Sequence, residues 1–192
     1  INQATDLQTL RVTNVDWTFD NTTVLERLYN LIKTPDSPEV MLTGKIHVPT
    51  IGQHDLDKYQ EAWKDLTITP RDGIIPQYKV TFVNYDGATL LRADGTPEIQ
   101  YIDQYGSAVN PITREDNPIA TPTKESTVQY SYTFAGWDKA FTNVQDNIIV
   151  TATYNEEVRK YTIQYKSMGN SIKTYENVPY GTKPSYDGED PT

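Results

Sequence analysis

Beyond Pro76 the chain alternates apolar and polar residues with a period of two, and after Tyr154 it starts the same alternation again. Tyr78-Lys79-Val80-Thr81-Phe82 opens the first run and Tyr161-Thr162-Ile163-Gln164-Tyr165 opens the second. A period of two is the spacing of side chains on one face of a strand, so this half of the chain is bound to form sheet. Val80 and Phe82 face one way, Lys79 and Thr81 the other. Asp86-Gly87 and Asp94-Gly95 have the composition of hairpin turns, since Gly tolerates positive φ. Ile99, Tyr101 and Tyr105 fall in the return strand, which ends at Gly106. Asn110–Thr123, rich in Pro, Asn and Thr, reads as an extended loop.

Two strands close the first run, Tyr130–Trp137 and Ile148–Tyr154. Alternation in the former puts Tyr132, Phe134 and Gly136 on one face, and Thr133, Ala135 and Trp137 on the other. Burying a large aromatic is worth about 1.5–3 kcal/mol, so Trp137 reads as a core residue, with ligand stacking as the alternative. Gly136 reads as a point where a neighbouring backbone or ring comes close.

The first seventy residues have a different rhythm. Leu7-x-x-Leu10-x-Val12, continued by Val15 and Trp17, is strand-like, as are Met41–Val48 and Leu66–Ile68. Between them, Thr23 and Glu26 have capping-box spacing and open a helix through about Lys33. Its apolar stripe is Val24, Leu25, Leu28, Leu31 and Ile32, and Pro35 and Pro38 stop it. A second helix opens at Asp55, with Leu56, Tyr59 and Trp63 on one face. Helical connections predict parallel strands. Pro70–Pro76, with two prolines and Gly73, separates the two rhythms as a stiff joint.

Charge narrows the partners. The net charge is −9 and the sequence pI is about 4.7, so the surface repels nucleic acid and anionic membrane alike. No cysteine is present, which removes disulfides and thiolate metal sites. No apolar run is long enough for a spanning helix. The chain opens at Ile1 and stops at Gly188–Thr192 in what reads as mid-pattern, as a fragment of a larger polypeptide would.

Two resemblances follow from these motifs. Leu7-x-x-Leu10-x-Val12, Thr43-x-x-Ile46-x-Val48 and Trp63-x-x-Leu66-x-Ile68 resemble the core of leucine-rich repeats, although Thr43 stands where an apolar residue is usual. A small βαβαβ domain of another kind is the alternative. In the second half, the opening Tyr78–Phe82 with Asp86-Gly87, the central Tyr105-Gly106, the Pro-containing loop, Tyr132-x-Phe134-x-Gly136-Trp137-Asp138 and the closing Val150-Thr151-Ala152-x-Tyr154 resemble the Listeria–Bacteroides repeat, the B-repeat of internalin-like surface proteins. Residues 161–192 match its first half, with Tyr180-Gly181 as the central pair. The resemblance implies an α+β multi-module chain: a leucine-rich-repeat-like βαβαβ unit at 1–70, a linker at 71–77, a complete β-grasp-like module at 78–155, a linker at 156–160, and half of a second module at 161–192. It also implies display on a phage virion or a bacterial cell surface. The expected partners are other virion or surface subunits, or a host-surface protein or glycan.

The residues themselves offer little chemistry. His47 and His54 sit seven apart around a Pro-Gly loop, with no third ligand at metal spacing. Asp86, Asp94 and Asp103 stand at turns or strand ends, where Asp is expected without a cation. Glu156-Glu157 and Arg159-Lys160 read as a solvated joint. No catalytic, cofactor-binding or metal-ligating residue is assigned. The expectation is a non-catalytic spacer or adhesion module; the alternative is an accessory anchor of a larger extracellular enzyme.

Overall fold

The computed structural model describes residues 9–32 and 39–188. Leu7, Lys33, Pro35, Pro38 and residues 189–192 lie outside them. The chain is mostly β, with 47% in strands and 11% helical, in two helices among the described residues. This overturns the α+β multi-module expectation, with its leucine-rich-repeat-like unit and β-grasp-like modules. The helical periodicity of the first seventy residues sustains only nine-residue and ten-residue helices. The one long connection of the second half carries Pro111, Pro118 and Pro122. Each proline removes a backbone donor, so that connection stays in turns and bends.

The chain divides into two compact units: the described residues of Ile1–Val80 with Gln100–Ala108 and Phe141–Ile148, and those of Thr81–Ile99 with Val109–Ala140 and Ile149–Thr192. The first unit opens with β1 (Thr9–Thr18), α1 (Thr23–Leu31), β2 (Glu39–Val48), β3 (Ile51–Gly52), α2 (Gln53–Ala62), β4 (Leu66–Pro70) and β5 (Ile74–Ile75). Strands β1, β2 and β4 form a sheet in that order and run parallel, as helical connections require. Leu25, Ile46, Val48, Tyr59, Trp63 and Leu66 lie in its core. Tyr29 meets Tyr59 and Trp63 edge-on, an arrangement that aromatic quadrupoles favour.

Two local expectations fail in this unit. The capping box does not form: Thr22 flanks the helix in αR geometry with no side-chain bond, and Asn21 Oδ1 accepts from the Thr23 amide at 3.0 Å instead. Leu31 is exposed, not part of the buried stripe. The strand ladder is also irregular. The β1–β2 register shifts between Val12 and Val15, where Asn14 has φ 55°. Gly44 faces that shift at φ +119°, and a Cβ there would lie 2.2 Å from the Val15 carbonyl oxygen. Only glycine fits so close an approach.

A four-stranded sheet has the order β7-β6-β9-β8, made of β6 (Gln77–Val83), β7 (Ile99–Asp103), β8 (Tyr130–Trp137) and β9 (Ile148–Val158). Val80 and Phe82 are buried and Lys79 is exposed, the alternation read from sequence. Both Asp-Gly turns form. Gly87 N bonds Asn84 O, Gly95 N bonds Arg92 O, and both glycines have positive φ. Of residues 71–77, Ile74–Ile75 form β5 and Gln77 opens β6; of 156–160, only Arg159 lies outside a strand. An antiparallel hairpin follows, β10 (Lys160–Ser167) and β11 (Asn170–Pro179). Met168 and Gly169 turn it, both at positive φ.

Candidate functional site

An aromatic ribbon runs from the core of the second unit to its surface. It begins at Phe82, which is wholly buried and meets Trp137 edge-on at 5.0 Å between ring centroids. Trp137 meets Phe134 at 5.4 Å, Phe134 meets Tyr154 at 6.2 Å, and Tyr154 meets Tyr85 at 5.8 Å, each pair near perpendicular. Tyr85 is exposed on the tip of the first turn.

The strand placing Phe134 and Trp137 departs from simple alternation. Phe134 pairs with Tyr154 and Gly136 with Thr153, so Ala135 is the extra residue of a β-bulge. The bulge brings Trp137 to the side of Phe134, not the opposite face read from sequence. Gly136 sits at φ +130°, and a Cβ there would meet nothing within 4 Å. Its role is therefore the backbone turn of the bulge, not the close approach expected. Trp137 itself is half-buried, packed by two phenylalanines.

Asn84 organises the outer end of the ribbon. Its Oδ1 accepts from the Tyr85 amide and from the Tyr154 hydroxyl, and its Nδ2 donates to the Thr123 carbonyl at 3.0 Å. That last bond fixes the end of the proline-rich loop beside the turn. Lys124, the next residue, then lies with Nζ 3.8 Å above the Tyr132 ring and 5.2 Å from that of Tyr85. Such cation–π contacts are worth about 0.5–1 kcal/mol at exposed sites. Burial is the first cause raising the Tyr154 hydroxyl above the usual tyrosine range, followed by Tyr85 and Asp86, with the Asn84 bond opposing. The cluster offers ring faces, one ammonium and amide and hydroxyl groups. It can stack and hydrogen-bond a ligand, and it holds no nucleophile beside a base.

The same unit contains a buried ion triad. Glu98 is fully buried, accepting from Arg92 Nε at 2.7 Å and Arg114 Nη1 at 3.3 Å. Arg92 also donates to the Ile99 carbonyl at 2.7 Å. Pairing offsets the cost of taking these charges out of water, although Arg114 Nε is buried with no hydrogen-bond partner among the described residues.

The histidines do not meet. His47 Nε2 lies 3.3 Å from Asp16 on the neighbouring strand, whereas His54 stacks on Tyr101 with centroids 3.3 Å apart. Burial outweighs Asp55 and lowers the His54 pKa below its usual value. Among the described residues, no group of three or more His, Asp or Glu is placed to hold a metal ion. Asp86 Oδ1 accepts from the Ala88 amide and Asp94 Oδ1 from the amide and hydroxyl of Thr96. Asp103 accepts from Gln77 Nε2 at 2.7 Å. These aspartates close turns and cap a strand end.

Tyr85, Asn84 and Lys124 were not singled out by sequence. Residues 85, 124, 132 and 154 share no spacing; a loop bond at Asn84 brings them together. Compared with protein-family models, curated proteins and solved structures, the chain matches none.

Proposed function

We propose that the chain is a non-catalytic structural and adhesion module of a surface-displayed protein, on a phage virion or a bacterial cell surface, serving as spacer and ligand-binding array. The observation that carries the binding role is the Tyr85–Lys124–Tyr132 cluster. The exposed Tyr85 ring, beside the half-buried Lys124 ammonium and Tyr132 ring, suits a glycan or a surface protein, which are bound by stacking and hydrogen bonds. The acidic chain disfavours nucleic acid as the ligand. The repeat resemblance of 78–154 and 161–192 supports the display setting.

Binding of the labelled full chain to intact bacteria and to immobilised wall polysaccharides tests the proposal. Tyr85→Ala combined with Lys124→Ala should abolish retention while leaving the melting temperature within a few degrees, because Tyr85 is exposed and Lys124 lies outside the buried core. Retention equal to that of the unchanged chain would remove the cluster from the binding role.

A further inference from the structure

The β10–β11 hairpin has the pattern of a sheet strand without a sheet. Tyr161-x-Ile163-x-Tyr165 on β10 repeats Tyr78-x-Val80-x-Phe82 on β6. β6 lies between β7 and β9, whereas β10 pairs with β11 alone among the described residues. The consequence is visible in burial. Val80 and Phe82 are wholly buried, while Ile163 and Tyr165 are half-buried and Tyr161 and Ile172 are exposed. A two-stranded hairpin is marginal by itself in water. Part of its apolar face is covered by the following segment, through Tyr186 against Tyr165 at 5.1 Å and an ion pair of Asp187 with Lys173. Between that segment and the strands remains an apolar groove of about 210 Å³, bordered by Ile163, Tyr175, Val178 and Pro184.

Charge identifies what fits. The hairpin carries Lys160, Lys166 and Lys173, with Arg159 just before it, against Glu176 and the Asp187 that pairs with Lys173, an excess of basic residues on a chain of net charge −9. The segment that flanks β6 in the four-stranded sheet, Tyr130–Val158, carries Asp138, Asp146, Glu156 and Glu157 against Lys139. We infer that β10 is an acceptor edge for an acidic strand pair of the Tyr130–Val158 type, which adds a β9-like strand to β10 and offers a β8-like aromatic to the groove. Strand addition of this kind draws affinity from backbone bonds and specificity from alternate side chains. The inference is independent of the ligand taken by the Tyr85–Lys124 cluster.

The test titrates isotopically labelled full chain with a synthetic peptide of residues 130–158. Saturable amide shifts and slowed hydrogen exchange should appear on 160–179 and be absent with a scrambled peptide of the same composition. Reversing Glu156 and Glu157 to Lys in the peptide should weaken binding roughly ten-fold, with the loss shrinking at high salt. Ile163→Lys in the chain should abolish binding; amide signals of β6 and β9 in the same spectrum report that the four-stranded sheet remains folded. Shifts confined to β7 or β8, equal binding of the scrambled peptide, or no shifts at saturating peptide would overturn the inference.

Discussion

Phe82 and Tyr165 hold matching places in one alternating pattern, yet the first is wholly buried and the second only half-buried. Their neighbours differ more than their chemistry. Phe82 sits on an inner strand and meets Trp137, while Tyr165 sits on a two-stranded hairpin and meets Tyr175 and Tyr186. No residue after Ala152 appears in the buried core of the described chain, although the strand pattern continues to Pro179. Apolar alternation specifies which face a side chain takes; the number of strands beside it decides whether water leaves.

The sharpest way to break this contrast is to remove both rings. Phe82→Ala should cost about 3–5 kcal/mol, as truncations of buried aromatics do. Tyr165→Ala should cost less, about 1–2 kcal/mol, because this ring is only half-buried. Chemical denaturation read together with hydrogen exchange measures both, and equal costs would show the hairpin to be as well packed as the sheet. A second contrast concerns charge. The interior of the first run contains the triad of Glu98 with Arg92 and Arg114, whereas among the described residues the hairpin's ion pair is the surface pair Lys173–Asp187. Glu98→Gln takes the buried carboxylate from two mostly buried guanidiniums, Arg114 keeping only the exposed Asp116, and should cost about 3 kcal/mol, toward the low end for broken buried pairs. A melting temperature unchanged by this substitution would show the triad to be dispensable.

The smallest effect concerns pH. The Tyr175 hydroxyl first, and Lys173 second, hold the Asp187 carboxyl below the usual carboxylate range. A carboxyl lowered by folding contributes above its unfolded pKa and loses that contribution as pH falls through its folded pKa. The segment crossing the hairpin should therefore loosen only in strongly acidic solution. Ring signals of Tyr175 and Tyr186 followed by NMR should show the step, and Asp187→Asn should erase it. A step that survives the substitution would assign it to another group.

Much of this arrangement was legible in the residues. The alternation of Tyr78–Phe82, both Asp-Gly turns and the parallel pairing of β1, β2 and β4 follow from local rules that tertiary packing did not override. The fold class was not legible, because short helical stripes and a loose leucine pattern say nothing of how many elements stack. The capping box failed for a related reason: Asn21 offered the Thr23 amide a competing acceptor. The Tyr85–Lys124–Tyr132 cluster left no local trace, since its members meet through tertiary bonds such as that of Asn84 to Thr123. Trp137 was assigned to the wrong face because alternation counts residues, and a bulge adds one.

That extra residue gives β8 an unusual parity. Phe134 and Trp137 are an odd number of positions apart, yet they share a side, because Ala135 has no partner on β9. Losing Ala135 would leave them an even number apart, which also places them on one side in a regular strand. The strand thus contains one step, Ala135-Gly136, where a one-residue deletion preserves the inside-outside order of everything after it. At Thr133, which is paired with Asn155, the same deletion would invert one end of the strand relative to the other. In evolutionary terms, length change in this strand has a single neutral door, and it opens at the Ala135-Gly136 step.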